Sequence, residues 1–431
     1  MPVNASDVWD VVVVGGGPAG ASTAFGLARG GARVLLLDRA RFPRDKPCSE
    51  CLSPECGRVL ESMGVLKSVE AADAAHHVGM LVRAPSGGRI HGEYAAAHGY
   101  HGFADSGLGI RRDRLDAIVL GAARAAGVTI LEGVRTLDVL RDASGRAVGV
   151  SGTNAAGLPD EWRGRFVVGA DGLRSVVARR LGLTRAGRFP RRIAFVTHYR
   201  GVSGHGVLTE MHVERDGYMG INDVGRGEVN VAIVVPASQA RLAHAGGPGG
   251  PARFVEEWLG RHPQLAPRFA GAERTSAVKA VGPFNSRARR AWAPGAALVG
   301  DAADFFDPFT GEGIYAALRG GQLLAPRLLE ALAARTPAAE RAALRGYARD
   351  RRAEFGGKWV VERLIGTAVG TPALISHAAR VLSRRRDLAD LLVGVTGDFV
   401  PAREVLRPGY LLRLLMPPIR SAPPAPAGAA P

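Results

Sequence analysis

The chain opens with tight apolar runs separated by short polar or glycine breaks. Val11 to Val14 is a run of four valines, and β-branched side chains in such a run predict a buried strand. It ends in Gly15, Gly16, Gly17, Pro18, Ala19 and Gly20, after which a helical stretch runs through Arg29. A second apolar run, Val34 to Leu37, closes on Asp38. Strand, glycine turn, helix and strand make the opening βαβ unit of a dinucleotide-binding fold, with Gly15, Gly17 and Gly20 at G-x-G-x-x-G spacing.

The three glycines serve different physical ends. One makes the tight turn, one lets backbone approach a pyrophosphate, and one lets helix and strand pack closely. The phosphates then meet the positive end of the helix dipole. Asp38 lies 18 residues past Gly20, where a carboxylate accepts hydrogen bonds from an adenosine ribose. The later cluster Gly246, Gly247, Gly249 and Gly250 includes Pro248 and is followed by Pro251. It follows no strand, so a single permanent dinucleotide site is expected.

Two more apolar runs end in acidic residues. Phe166 to Ala170 leads into Asp171 and Gly172, and Ala296 to Gly300 leads into Asp301. Pro308, Gly311, Glu312 and Gly313 then precede a helical run from Ile314 to Leu332. A helix start of this kind offers unpaired N–H groups and a partial positive charge. Glu312 either meets a ligand there or simply favours the helix N-terminus as an early carboxylate does.

Between these units, strand character recurs at Val78 to Tyr94, Ile193 to Gly201, Val207 to Val213, Tyr218 to Val235 and Ser276 to Phe284. These segments predict a mostly antiparallel sheet inserted into the dinucleotide domain, with an apolar face as substrate wall. The expected fold class is therefore α/β: a Rossmann-like domain (8–75, 106–184, 286–337), an inserted β-sheet substrate domain (76–105, 185–285) and a helical C-terminal region (338–417). Helix breaks are expected at Pro372, Pro401 and Pro408, and 418–431 reads as a disordered Pro and Ala tail.

Composition narrows the function. The 431 residues carry 56 basic and 40 acidic side chains, a net charge of +16. Only Lys46, Lys67, Lys279 and Lys358 are lysines, which leaves 52 arginines. The arginines run through every segment and aromatics are only 6%, unlike a nucleic-acid reader with one basic, aromatic-laced patch. No nucleic-acid partner is expected. The chain has neither a membrane-spanning run nor, at Met1 to Asp10, a secretory signal, so the default address is the cytoplasm. Arg384 to Arg386, followed by Leu411, Leu412, Leu414 and Leu415, suits peripheral contact with anionic lipid; the alternative is a solvated helix face with core leucines. Cys48, Cys51 and Cys56 are too few for a disulfide scaffold. Cys51 and Cys56 have the spacing of a flavin-linked redox pair but lack the second nucleotide fold that such reductases need, and no metal site is expected because a fourth ligand is missing.

The three ordered motifs together resemble those of the flavoprotein superfamily of p-hydroxybenzoate hydroxylase-like monooxygenases and geranylgeranyl reductases. The resemblance implies FAD as cofactor, bound by Gly15, Gly17, Gly20, Asp38, Arg112, Asp171, Gly172, Asp301, Gly311 and Gly313, with NAD(P)H as a transient donor. Arg112 to Leu115 looks like that family's R-x-x-L element, although a surface helix arginine is the plainer reading of Arg112. The stretch Lys46-Pro47-Cys48 through Leu52-Ser53-Pro54 is similar to the K-P-C-x-x-x-L-S-P loop of geranylgeranyl reductases. It implies Cys48, Pro308 and Gly311 at the reacting end. The family has glycines where this chain has Ser49, Glu50 and Cys51.

The motifs leave the reaction open, because reduced flavin serves both oxygen chemistry and hydride transfer. Prenyl reductases carry Y-x-W-x-F-P in the substrate sheet, and here the stretch is Tyr218, Met219, Gly220, Ile221, Asn222, Asp223. That departure inclines the reading toward NAD(P)H-driven hydroxylation of a hydrophobic aromatic or polyketide-like substrate. Reduction of isoprenoid double bonds and electron relay to a quinone or protein are the alternatives.

Overall fold

The computed structural model describes residues 8–95, 98–187, 191–245, 247 and 249–416; the 418–431 tail lies outside them. The nucleotide unit is built on strand Val8–Val14, which pairs in parallel with Val34–Asp38 on one side and Pro159–Gly169 on the other. Strands Thr129–Glu132 and Ala296–Leu298 extend this parallel core outward. Val11, Val12, Val13 and Val14 are all buried, as expected of a parallel sheet covered on both faces. Helix Pro18–Arg29 packs on helix Gly313–Ala333, which brings the first and third glycine motifs to one end of the sheet.

The second sheet is mostly antiparallel. Its strands run in the order Glu273–Arg274, Arg192–Arg200, Glu228–Pro236, Tyr218–Asp223, Leu208–Val213, Gly79–Arg83, Arg89–Glu93. The pairing of Leu208–Val213 with Gly79–Arg83 is parallel, because the chain crosses the nucleotide unit between them. Strand alternation assigns the two faces. Val229, Val231, Ile233 and Val235 share one core with Phe254, Val255 and Trp258 of helix Gly250–Gly260. Ala232 and Val234 face the other way, in a core with Ala194, Val196, Met211 and Tyr218.

The C-terminal helices cover that second face. Ile375, Ala379, Leu388 and Val393 belong to the same core as the sheet residues. Helix Pro337–Val369 spans 33 residues without a break; new helices start at Pro372 and Pro408, where proline takes the first helical position. Among the described residues no helix is long and apolar enough to cross a membrane. On the last helix, Tyr410 is buried and Leu414 packs against the core, while Leu412 and Leu415 are 59% and 65% exposed.

Candidate functional site

One large cavity, about 1090 Å³, runs from the first glycine turn to the substrate sheet. It slightly exceeds the roughly 300–1,000 Å³ of an ordinary small-molecule pocket. Gly15, Gly17, Asp38, Cys48, Arg112, Asp171, Gly172, Asp301, Pro308, Gly311 and Gly313 all border it.

At the phosphate end the backbone admits only glycine. A side chain on Gly20 would meet the Gly15 carbonyl oxygen at 1.8 Å, so helix Pro18–Arg29 sits against the turn. Gly20 is therefore inside this packing rather than on the cavity wall. Gly17 takes the helix N-cap position with no side-chain cap, leaving the first N–H groups of the helix for an anion. A side chain on Gly17 would come 3.2 Å from an Arg44 guanidinium nitrogen and 3.8 Å from one of Arg112. Asp116 anchors both arginines, accepting two bonds from Arg112 at 2.8 Å and lying 3.1 Å from Arg44. Arg112 is 3% exposed, so the surface reading of this residue is corrected. Burial alone would lower its pKa, but Asp116 and the Cys48 thiol beside it hold the guanidinium charged. Asp38 accepts from the Gly16 and Ala40 amides at 2.7 and 2.8 Å, tying the second strand to the turn.

The Asp171 carboxylate accepts from the Ser175 hydroxyl and the Val176 amide, so its side chain caps the helix Val176–Arg180 while the turn faces the cavity. Asp301 borders the cavity with its carboxylate 3.5 Å from Lys46 Nζ. Gly311 has φ of +75°, a left-handed conformation that favours glycine. It ends a short turn begun at Pro308, immediately before helix Gly313–Ala333. The preceding Asp307 is buried, accepting from Tyr218 at 2.5 Å, Arg192 at 2.6 Å and the Phe309 amide at 3.1 Å. This fastens the third motif to the substrate sheet.

The loop carrying Cys48 is fastened at every step. Lys279 holds Asp45 at 2.7 Å, Asn230 donates to the Cys48 carbonyl at 2.9 Å, and Asn222 to the Ser49 carbonyl at 3.3 Å. Glu50, with φ of +61°, stands in the left-handed region. Its carboxylate bonds the Arg112 amide at 2.7 Å, His198 Nε2 at 2.7 Å and Asn230 at 3.1 Å. Side-chain bonds thus hold a backbone shape that glycine adopts freely. All three cysteines are free thiols. Cys48 borders the cavity; burial pushes Cys51 up to about 11 and Cys56 further up.

The cradle at Gly17, its two arginines and the open helix start beyond Gly311 fit a long anionic dinucleotide with a ring system at the far end. The family described as FAD binding domain matches residues 8–359. The chain belongs to that family and is an FAD-dependent oxidoreductase. Menaquinone reductase of Mycobacterium tuberculosis is 31% identical over 343 residues, 76% of this chain and 78% of its own. Conditioned medium factor receptor 1 of Dictyostelium discoideum is 28% identical and covers 93% of this chain and 79% of its own. Digeranylgeranylglycerophospholipid reductase 2 of Methanopyrus kandleri is 28% identical over 75% and 78%. Among solved structures, a triple mutant of the flavin-dependent brominase Bmp2 superposes with a TM-score of 0.76 at 22% identity, covering 94% of this chain and 99% of that one. PqsL, a probable FAD-dependent monooxygenase of Pseudomonas aeruginosa, gives 0.70 at 24% identity, covering 86% and 99%. At such identities these structures show a shared fold.

The flavoenzyme's cavity also has a side that motif reading missed. Arg351, Lys358 and Glu362, from helix Pro337–Val369, and Asp398 border it beside the third motif. A signal was present in the composition, because Lys46, Lys279 and Lys358 all reach the cavity although the chain has only four lysines. Glu312 occupies the N-cap of helix Gly313–Ala333 without a side-chain cap bond. Burial first, then the charge of Asp398, raises its carboxyl well above the usual carboxylate range, so a charged helix-start carboxylate does not describe it.

Proposed function

We propose that this flavoenzyme reduces a carbon–carbon double bond in a hydrophobic substrate of the isoprenoid class, with NAD(P)H as the source of electrons. The carrying observation is the apolar arm of the cavity. Ala194, Val196, Met211, Ala232 and Val234 of the substrate sheet border it together with Phe284 and Phe305, and the charged side chains on that sheet face, Arg192 and Lys279, are paired with Asp307 and Asp45. Aromatic rings from outside the sheet, including Phe355 and Trp359, offset the missing W-x-F-P wall. The Mycobacterium and Methanopyrus relatives, both named as reductases, support the same reading. Bound FAD would supply hydride transfer, while this chain's own residues bind, orient and exclude water. Gly17, Arg44, Arg112 and Asp38 would hold the dinucleotide, and Asp301, Gly311 and Gly313 its flavin end.

Hydroxylation of an aromatic substrate is the second reading, favoured by the aliphatic Met219 to Ile221 stretch where prenyl reductases carry tryptophan. Product mass separates the two. The purified protein, supplied with NADPH or NADH and a polyprenyl quinone or lipid in nitrogen and in air, should add two hydrogens in both atmospheres. Addition of one oxygen atom in air alone would establish the hydroxylase instead. Peripheral contact with anionic lipid through exposed Leu412, Leu415 and Met416 belongs to the same proposal, although Arg413 beside them is paired with Asp387. Arg385 and Arg386 contribute less to it, since both are paired with acidic neighbours, Arg385 with Asp387 and Arg386 with Glu93 and Asp390.

A further inference from the structure

Saturating a double bond consumes a proton as well as a hydride. One acid for it stands in the third motif, Glu312 between Gly311 and Gly313, and a second, Glu362, on helix Pro337–Val369. Glu312 and Glu362 both border the cavity. Glu362 lies one helical turn from Lys358, whose ammonium sits over the ring of Tyr315, itself one turn from Glu312, so the two carboxyls share one buried corner and do not both ionise readily. Glu312 is 7% exposed. The one ammonium nearby is already engaged: Lys358 Nζ pairs with Asp398 and lies 4.5 Å from the centre of the Tyr315 ring.

Resting on the reading above, we propose that the Glu312–Glu362 pair is the proton donor of the reaction, giving a proton to the alkene carbon that does not receive the hydride. Bound, reduced FAD would supply the hydride to one alkene carbon, a two-electron oxidation of the cofactor. The electron pair of the π bond forms the second C–H bond with the proton. The pair is left as two carboxylates, and solvent returns the proton between turnovers.

The surroundings set the proton affinity. Glu354 faces the group but is held by Tyr315 at 2.7 Å and Arg319 at 3.2 Å, and Asp304 is paired with Arg351. The Cys51 and Cys56 thiols and the Tyr94 hydroxyl lie nearby, each raised mainly by burial and so neutral; Arg363 borders the same side. Burial first, then the charge of Asp398, raises Glu312 well above the carboxylate range, and burial brings Glu362 up to about 7. An acid titrating near the working pH is suited to proton transfer.

The test compares wild type with Glu312→Gln and Glu362→Gln as FAD-loaded protein. Infrared difference spectra should show a protonated carboxyl band in wild type that fades as pH rises through about 7, and Glu362→Gln should lose that titration. In the variants, flavin reduction by NAD(P)H should stay unchanged while alkene saturation falls about 100-fold or more. In D₂O one product carbon should carry solvent deuterium in wild type. Variants that saturate the alkene at the wild-type rate, or a wild-type spectrum with both groups ionised at pH 6, overturn the donor role alone. A wild type that reduces flavin but saturates no alkene overturns the reaction class, and the donor role with it.

Discussion

Glu50 is where the loop bearing Cys48 is held in shape, and it is the sharpest test of how that loop is built. The residue is 1% exposed and accepts from Arg112, His198 and Asn230. Replacing it by alanine leaves those buried donors without their acceptor and keeps a side chain at φ +61°. Removing one partner of a buried charged network costs about 3–5 kcal/mol. Glycine loses the same bonds but avoids the left-handed penalty of about 1–2 kcal/mol, set against glycine's greater chain entropy of roughly 0.5–1 kcal/mol. Glu50→Gly should therefore be the more stable variant by up to about 1.5 kcal/mol, both lying well below wild type. Urea unfolding of the FAD-loaded proteins measures the order, and flavin absorbance after gel filtration reports whether the loop still closes on the cofactor. If Glu50→Ala matches wild type, or exceeds Glu50→Gly, then side-chain bonds are not what hold the left-handed turn.

The other expectations concern cofactor, reaction and pH. Gly17→Val should purify without FAD, since its branched side chain fills the space beside Arg44; full flavin content, measured by absorbance, counts against the phosphate cradle. Asp301→Ala should weaken FAD by about 1–3 kcal/mol through a lost polar contact, read by fluorescence titration, and an unchanged affinity removes it from the site. Cys48→Ala should alter turnover or product per NADPH while leaving melting temperature nearly unchanged, because a small-for-small exchange opens little cavity; a loss seen only in melting marks it as packing. Glu362 is raised from 4.5 to about 7 on folding, so the native state binds the proton that the unfolded chain has released. That contribution is fully present below about pH 4.5 and lost as pH rises through about 7. Wild type should therefore lose stability relative to Glu362→Gln across that window, and a difference constant with pH refutes the assignment.

The nucleotide end was legible because backbone geometry there dictates residue type. A Gly20 side chain would strike the Gly15 carbonyl, so close packing of strand and helix leaves its mark as glycine spacing. The substrate sheet was legible as segments of strand character, although the single stretch Tyr218 to Val235 holds two strands, and its faces, with Val229, Val231, Ile233 and Val235 on one, emerge only in the structure. Its one parallel pair was not, since nothing local in Leu208–Val213 distinguishes a neighbour reached through a hairpin from one reached across the nucleotide unit. Glu50 could not be read either. Where a glycine is the usual occupant, a glutamate signals conflict with the turn until its partners Arg112, His198 and Asn230, which lie far apart in sequence, are seen to converge on it.

The acidic side of the cavity escaped for a different reason. Glu312, Glu362, Lys358 and Asp398 come from two helices and the turn at Asp398, and each taken alone reads as an ordinary polar residue. Composition holds the remaining trace. In a chain where 52 of 56 basic residues are arginine, a lysine marks a position where the planar, five-donor guanidinium does not serve as well as a compact point charge. Lys46 beside Asp301, Lys279 on Asp45 and Lys358 on Asp398 are three such positions, all at the cavity, whereas Lys67 is exposed on the short helix Leu66–Glu70. Each of the three joins segments that must meet for the cavity to close: motif loop to third motif, motif loop to substrate sheet, long helix to the C-terminal turn. A rare residue type in a biased composition thus points to the site by contrast, where spacing and periodicity are silent.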